Sequence, residues 1–342
     1  TAPASPTGDR PPYRPQPGRG ECPTAGFLAT DLLTPGSFAC PGRYPYTGQK
    51  DLAVILNDLL SADTPVIVQG ATGRTARHHI TVMKRHGTRI VAGVSPGRST
   101  GPNDEVDIYP TCAGAVDATG AVTAIQFVPA SRVADAACEA LTSGIKLLVT
   151  VTEGVPVHDC ARILRKATDL GAIWVGPSTP GIVVPGIIKL GFMPEIALAR
   201  GSVGIMSKSG TLAYEVCYRL VREGLGQSSW IGVGGDPIKG TRFAELLDYF
   251  TTDPNTESVV VVGEIGGAEE EELAAALSDS AFDKPCHCLI AGATAPSGKT
   301  LGHAGALVHG HHGSFPAKAT ALAGAGAAVH HNIESLIEAM TT

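Results

Sequence analysis

From Leu52 onward, short and continuous apolar runs alternate with stretches of helical periodicity. The first series occupies residues 65–69, 89–93, 124–128, 146–150 and 173–176. A second occupies 202–206, 229–233, 258–262 and 286–290. Runs of this length without polar alternation predict strands covered on both faces, and hence parallel sheets. Alternation of strand and helix with right-handed crossovers predicts doubly wound α/β domains. Two such domains are expected, over 51–190 and 191–342, behind an N-terminal extension over 1–50. Ligands of such sheets sit beyond the carboxyl ends of the strands, so the turns after these runs are where chemistry is expected.

Length and composition agree with this reading. A chain of 342 residues, 43% hydrophobic and 17% charged, can bury two ordinary cores and is neither disordered nor a coiled coil. No apolar run reaches the ~18 residues of a membrane span. A net charge of −6 argues against a nucleic-acid binder. The eight cysteines are scattered without the spacing of a disulfide framework, and no charged-then-apolar leader opens the sequence. A cytoplasmic protein is expected. Ten of the 25 prolines lie before residue 50. Residues 1–20 read as a mobile, polyproline-like tail, and 21–50 as a segment draped over a domain surface.

In the first half, Gly70-Ala71-Thr72-Gly73-Arg74-Thr75-Ala76-Arg77 stands between a strand and a helix start, the order of a phosphate cradle. A tight turn without a ligand fits the same residues. Arg98, in the turn after the second strand, can hold another phosphate or stand in solvent. Residues 127–130, 150–154 and 176–181 complete the rim. Glu153 is the carboxylate among these later turns, placed to accept from a ribose or adenine group or to cap the next helix.

In the second half, Ser207-Lys208-Ser209-Gly210-Thr211 joins a strand to a helix. Hydroxyls, free N–H groups and the positive helix end converge there, as a phosphoryl group requires, although Ser209 alone can act as a cap. Glu264 ends the most apolar strand of this half, and the acidic run 269–272 beyond it reads as a solvated helix start. His303 sits among small residues in Gly302-His303-Ala304-Gly305-Ala306. A neutral imidazole is a competent nucleophile toward phosphorus, and a carboxylate on its other nitrogen fixes the tautomer; Glu264 is the candidate. An ordinary buried histidine fits equally. Cys286-His287-Cys288 lacks a second thiol pair, and His309, His311 and His312 lack a thiol or carboxylate partner, so no metal site is expected.

Together these turns resemble the α-subunit family of succinyl-CoA synthetase, within the ADP- or GDP-forming acyl-CoA synthetases. The likeness covers about residues 53–342. Its carriers are the 207–215 turn, Gly232-Val233-Gly234-Gly235-Asp236-Pro237, Gly263-Glu264-Ile265-Gly266-Gly267 and Gly302-His303-Ala304-Gly305-Ala306, in family order. The resemblance implies a Rossmann-like CoA-binding domain followed by a flavodoxin-like ligase domain. It implies that His303 carries a phosphoryl group to or from an acyl phosphate, that Glu264 orients it, and that Ser207, Ser209, Gly210 and Thr211 hold the phosphate. Gly70, Thr72, Gly73, Arg74, Thr75, Arg98, Val128, Pro129, Thr152 and Glu153 are then expected around CoA. Tyr214, Ser178 and Thr179 are expected near a small carboxylic acid. ATP or GTP with Mg2+ would be bound mainly by an ATP-grasp β-type partner, in a hetero-oligomer.

The chain departs from the family in the first domain. Ala76 stands where the family loop has its third glycine, and its methyl is expected to crowd a pyrophosphate. The family's Asn-Cys becomes Ser178-Thr179. Two alternatives stay open at this point: transfer of the acyl group to a non-CoA nucleophile such as an amine, and a non-catalytic CoA-binding partner subunit.

Overall fold

The computed structural model describes residues 49–100, 105–294, 302–308 and 313–342. The expected extension therefore lies outside the described residues except at its end, where a helix already begins at Gln49. Cys22, Cys40, His309, His311 and His312 are outside them too.

Helix α1 (Gln49–Leu59) leads into β1 (Val66–Gln69), α2 (Arg74–Arg85), β2 (Ile90–Val94), β3 (Ile108–Tyr109), α3 (Cys112–Thr119), β4 (Thr123–Gln126), α4 (Ala130–Thr142), β5 (Leu147–Thr150), α5 (Val157–Asp169) and β6 (Ile173–Val175). These six strands form one parallel sheet in the order β3-β2-β1-β4-β5-β6. That is the dinucleotide-binding order, reversing direction between β1 and β4. Strands β1, β4, β5 and β6 are buried at every position, as continuous apolar runs require when helices cover both faces.

The chain continues through the hairpin β7 (Gly181–Val184) and β8 (Ile188–Gly191), then β9 (Arg200–Ser207), α6 (Gly210–Arg222), β10 (Gln227–Gly232), α7 (Leu247–Thr252), β11 (Ser258–Glu264), α8 (Glu269–Asp279), β12 (Cys286–Ala291), α9 (Phe315–Gly324), β13 (Ala328–His330) and α10 (Ile333–Thr341). The second sheet runs β13-β12-β11-β9-β10-β7-β8. Counted from β9, its five parallel strands stand in the flavodoxin order 2-1-3-4-5, and the antiparallel hairpin extends the β10 edge.

That hairpin shifts the expected division of the chain. Residues 181–191 fall largely before the 190/191 division, yet they pair in the second sheet. Helix α1 likewise packs on α7, from the second sheet's helical layer. Leu52 and Leu56 bury its apolar face, with Leu60 buried just past its end, each contributing about 1.5–3 kcal/mol. The hairpin turn is Val184-Pro185-Gly186-Ile187, where Ile187 N–H donates to Val184 C=O at 3.0 Å and Gly186 takes φ +75°. Proline and glycine at the two central positions suit a type II turn.

A ladder of buried polar side chains crosses the first sheet at its carboxyl edge. Gln69 Nε2 donates to Ala136 C=O at 2.9 Å, and Gln126 Nε2 donates to Gln69 Oε1 at 2.7 Å. Thr150 Oγ1 donates to Gln126 Oε1 at 2.6 Å and accepts from Trp174 Nε1 at 2.9 Å. Each group finds a partner, which is what permits these residues at nearly full burial.

Candidate active site

Three strand ends of the second sheet carry the site. β9 runs into the turn before α6, β10 into the Gly234–Gly235 loop, and β11 ends at Glu264 itself. The strands are parallel neighbours, so all three turns emerge on one edge.

His303 rests between two of them. Its Nδ1 lies 2.6 Å from Glu264 Oε2, with the imidazole about one-quarter exposed and the carboxylate nearly buried. A Cβ on Gly235 would stand 2.2 Å from His303 Cγ and Nδ1, and Gly305 N–H donates to Gly235 C=O at 3.3 Å. On the other side, Gly266 at φ +89° makes room for Gly305 C=O, 2.2 Å from where its Cβ would be. Glycines on both flanking loops thus let the histidine segment lie against backbone. The hydrogen bond to Glu264 raises the His303 pKa above its usual value, burial opposes the rise, and the charges of Glu153 and Asp236 reinforce it. With Nδ1 engaged by a carboxylate, Nε2 is the nitrogen left to react.

A cavity of about 210 Å³ adjoins the ring, lined by Glu153, Val155, Cys160, Ser178, Asp236 and Ile238 among others. Burial pushes the Asp236 carboxyl up despite the opposing charges of His303 and Lys239. Glu153 comes from the first sheet, and its charge acts on His303, Asp236 and Tyr214 alike. Its reading as a helix cap does not hold: Pro156 is the residue preceding α5. Tyr214, pushed up to about 12 chiefly by burial, packs edge-on to Trp230. Its hydroxyl lies 3.5 Å from a Cβ position on Gly210, joining the α6 turn to the same cleft.

Within that turn the hydroxyls separate. Ser209 Oγ caps α6, accepting from Leu212 N–H at 3.2 Å, while Thr211 is exposed. Ser207 is fully buried and its Oγ accepts from Trp230 Nε1 at 2.8 Å, so its side chain is part of the core and not of the phosphate turn. The strand itself carries the signal, since β9 is buried at every position from Val203 to Ser207 and its last hydroxyl stays inside the sheet. Thr179 is also buried, its Oγ1 donating to Gly232 C=O and accepting from Gly181 N–H, so the cavity receives Ser178 without it.

In the first sheet, Gly70 takes φ +76°, and a Cβ there would lie 2.6 Å from Phe127 C=O. Gly73 precedes α2, which has no side-chain cap, and Gly73, Arg74 and Thr75 are exposed at its start. Thr72 Oγ1 lies 2.9 Å from Ser95 Oγ, tying this turn to the one that carries Arg98, itself exposed. Val128 and Pro129 precede α4, and Thr152 Oγ1 donates to Val128 C=O at 2.7 Å. These residues form an exposed cradle in which a Cβ on Gly73 would press on Gly70 C=O at 3.3 Å, so the glycine keeps the backbone clear, a fit for a phosphate-bearing ligand. Ala76 does not crowd it. Its methyl is buried in the helix–sheet core, which corrects the expected clash.

The acidic run 269–272 is not the solvated helix start that its pattern predicts. Glu269 and Glu270 are buried, paired with Lys208, Lys239 and Lys318. Burial would raise the Glu269 carboxyl, but Lys239 and Lys208 hold it down to about 2. The cysteine pair of β12 shares one face, with sulfurs 3.9 Å apart.

A doubly wound nucleotide-type domain joined to a flavodoxin-order domain, with a carboxylate-bound histidine on the latter's carboxyl edge, defines a protein of the CoA-ligase class. Family models agree: the CoA binding domain matches residues 61–154 and the CoA-ligase domain matches 206–328. The chain is 45% identical over 278 residues to the succinate–CoA ligase [ADP-forming] α subunit of Aquifex aeolicus, spanning 80% of this chain and 90% of that protein. It is 42% identical over 270 residues to the ADP-forming sulfoacetate–CoA ligase subunit SauD of Bilophila wadsworthia, spanning 78% and 92%. Among solved structures, ATP citrate lyase from Methanothrix soehngenii in complex with citrate and coenzyme A superposes with a TM-score of 0.74 at 25% identity. That match covers 82% of this chain, which spans about half (49%) of the lyase chain. The chain belongs to the family of ADP-forming succinate–CoA ligase α subunits, and is an α-type subunit of a CoA ligase. No helix among the described residues is long and apolar enough to cross a membrane.

Proposed function

We propose that this chain activates a short, doubly anionic acid as its CoA thioester, with His303 carrying the phosphoryl group. The observation that carries the reading is the 2.6 Å contact between His303 Nδ1 and Glu264. Glu264 holds the ring with Nδ1–H toward itself and Nε2 free. Nε2 accepts a phosphoryl group as its bond to a nucleotide breaks, and passes it to the acid carboxylate, giving an acyl phosphate. The CoA sulfur then displaces phosphate, forming the carbon–sulfur bond. The exposed Thr211 hydroxyl and the first N–H groups of α6 are placed to hold the phosphate oxygens.

Relatives act on succinate in one case and sulfoacetate in another, both short acids with two anionic groups. The cavity beside His303 is lined by apolar side chains, Glu153 and Asp236, with no lysine or arginine among the described residues that line it. It suits the neutral thiol arm of CoA, whereas the anionic acid belongs nearer the α6 start and Tyr214. The α2 start, Arg74, Thr75 and Arg98 are assigned to the CoA phosphates, and Val128, Pro129, Thr152 and Glu153 to the rest of its cleft. Family membership does not favour an amine acceptor or a non-catalytic role. ATP or GTP with Mg2+ is assigned to an ATP-grasp β-type partner in a cytoplasmic hetero-oligomer. The domain division proposed is a CoA-binding unit through β6 and a ligase unit from β7 onward.

A phosphate pulse-chase tests this. The chain, reconstituted with such a partner, is labelled from γ-phosphate-labelled ATP and chased with succinate or sulfoacetate, with and without CoA. Label on His303 that yields acyl-CoA only with acid and CoA together is the expected result. Absence of label on His303 would sink the mechanism, and thioester-free discharge into an amine would sink the acceptor.

A further inference from the structure

Five charged side chains, each no more than 5% exposed, lie behind the two loops that grip His303. Lys208 Nζ lies 2.9 Å from Glu270 Oε1 and 3.5 Å from Glu269 Oε2. Lys239 Nζ lies 2.6 Å from Glu269 Oε2, and Lys318 Nζ pairs with Glu270 Oε2. Burying so many ions in place of apolar side chains is weak evidence for stability alone. Their remaining bonds are more specific. Lys239 Nζ donates to Gly234 C=O at 2.6 Å, Lys318 Nζ donates to Gly266 C=O at 2.8 Å, and Glu264 N–H donates to Glu270 Oε1 at 3.0 Å. Those three backbone atoms flank Gly235, against which the ring lies, Gly305, which Gly266 accommodates, and the carboxylate that holds Nδ1.

We propose that Glu270 is a positioning residue for His303. It fixes the backbone of Glu264 directly and that of Gly266 through Lys318, while Glu269 fixes the opposite loop through Lys239. Moving the Glu264 backbone by a few tenths of an ångström loosens a 2.6 Å bond and frees the ring to change tautomer. The acidic start of α8 thereby acts on the imidazole without touching it. This role rests on His303 as the phosphoryl carrier, but its primary test reads the imidazole itself and needs no turnover.

The test is a histidine-labelled nuclear magnetic resonance titration of the full chain, with His303→Asn assigning the signal. Glu270→Gln keeps an oxygen that can accept from Glu264 N–H, whereas Glu270→Leu removes it at similar volume. The proposal expects the His303 midpoint to fall by about half a unit or more in the leucine variant, with the Nδ1–H tautomer no longer dominant. The glutamine variant recovers most of both. In the reconstituted enzyme the leucine variant is expected to lower kcat about 10- to 100-fold with little change in nucleotide KM. A folded leucine variant with wild-type titration and tautomer overturns the proposal. If that variant does not fold, Lys318→Met, which cuts the link from Glu270 to Gly266, is read the same way. Failure of both variants to fold makes the cluster a purely structural one and also overturns it.

Discussion

Glu264 Oε2 stands 2.6 Å from His303 Nδ1, joining the last residue of β11 to a loop 39 residues later in the chain. The bond raises the histidine pKa above 6.5, against the effect of burial. A reactive Nε2 requires the neutral ring, so the acid limb of phosphohistidine formation is expected above pH 6.5. Glu264→Gln should move that limb to lower pH and slow label capture about 10- to 100-fold. Rapid-quench labelling across pH measures both. The pair's contribution to stability has the opposite sense: complete below pH 6.5, it is lost as pH rises through the elevated folded-state value.

Gly235 offers a sharper geometric test. Its φ is negative, so alanine suits the backbone, but the new methyl meets His303 at 2.2 Å. Gly235→Ala should therefore leave the melting temperature within a few degrees while displacing the ring and abolishing label capture. Unimpaired phosphorylation would show that the ring does not react from this position.

The two hydroxyls of the α6 turn should separate in the same way as their geometry. Ser209→Ala removes the cap on Leu212 N–H and should destabilise by about 1 kcal/mol. Thr211→Ala should leave stability within about 0.5 kcal/mol, as an exposed change does, yet lower the rate of phosphoryl capture. Urea melts paired with labelling rates distinguish the two effects.

Thr150 links two neighbours in the ladder beneath the proposed CoA cleft. Thr150→Val keeps the shape but leaves Trp174 Nε1 and Gln126 Oε1 without their partner. Each orphaned group should cost roughly 1–3 kcal/mol, read from denaturant unfolding. Affinity for CoA, measured by calorimetry, should fall as well, because the ladder sets the height of the strand ends that form the rim.

Most of the architecture was legible because strands covered on both faces must be apolar throughout, and such runs are conspicuous. Strands β1, β2, β4, β5 and β6, with the parallel strands from β9 to β12, all lie at the expected runs. β3 escaped notice at two residues. The β7–β8 hairpin lies just past the expected rim turn 176–181 and coincides with none of the expected runs, although Pro185-Gly186 between apolar stretches is a hairpin signal. The Glu264–His303 pair was legible from residue chemistry. The roles of Glu269 and Glu270 were not, since four acidic residues at a helix start ordinarily face solvent. Their lysines stand 30 to 62 residues away in the chain, and only the tertiary fold brings them together.

The crossover between the sheets is held from both sides. Ser178 N–H donates to Thr152 C=O of the first half, Thr179 Oγ1 to Gly232 C=O of the second, and Gly240 N–H to Gly176 C=O. Thr88 Oγ1 and the backbone of Lys189 add a further reciprocal pair at 2.8 Å. With one apolar core running through both sheets, this junction is a splint and not a hinge. Clamshell closure, the usual means by which a two-lobed protein adapts to its cargo, would have to break these bonds and part that core. A cleft braced in this way would meet a new cargo through the side chains that line it before it did so by bending.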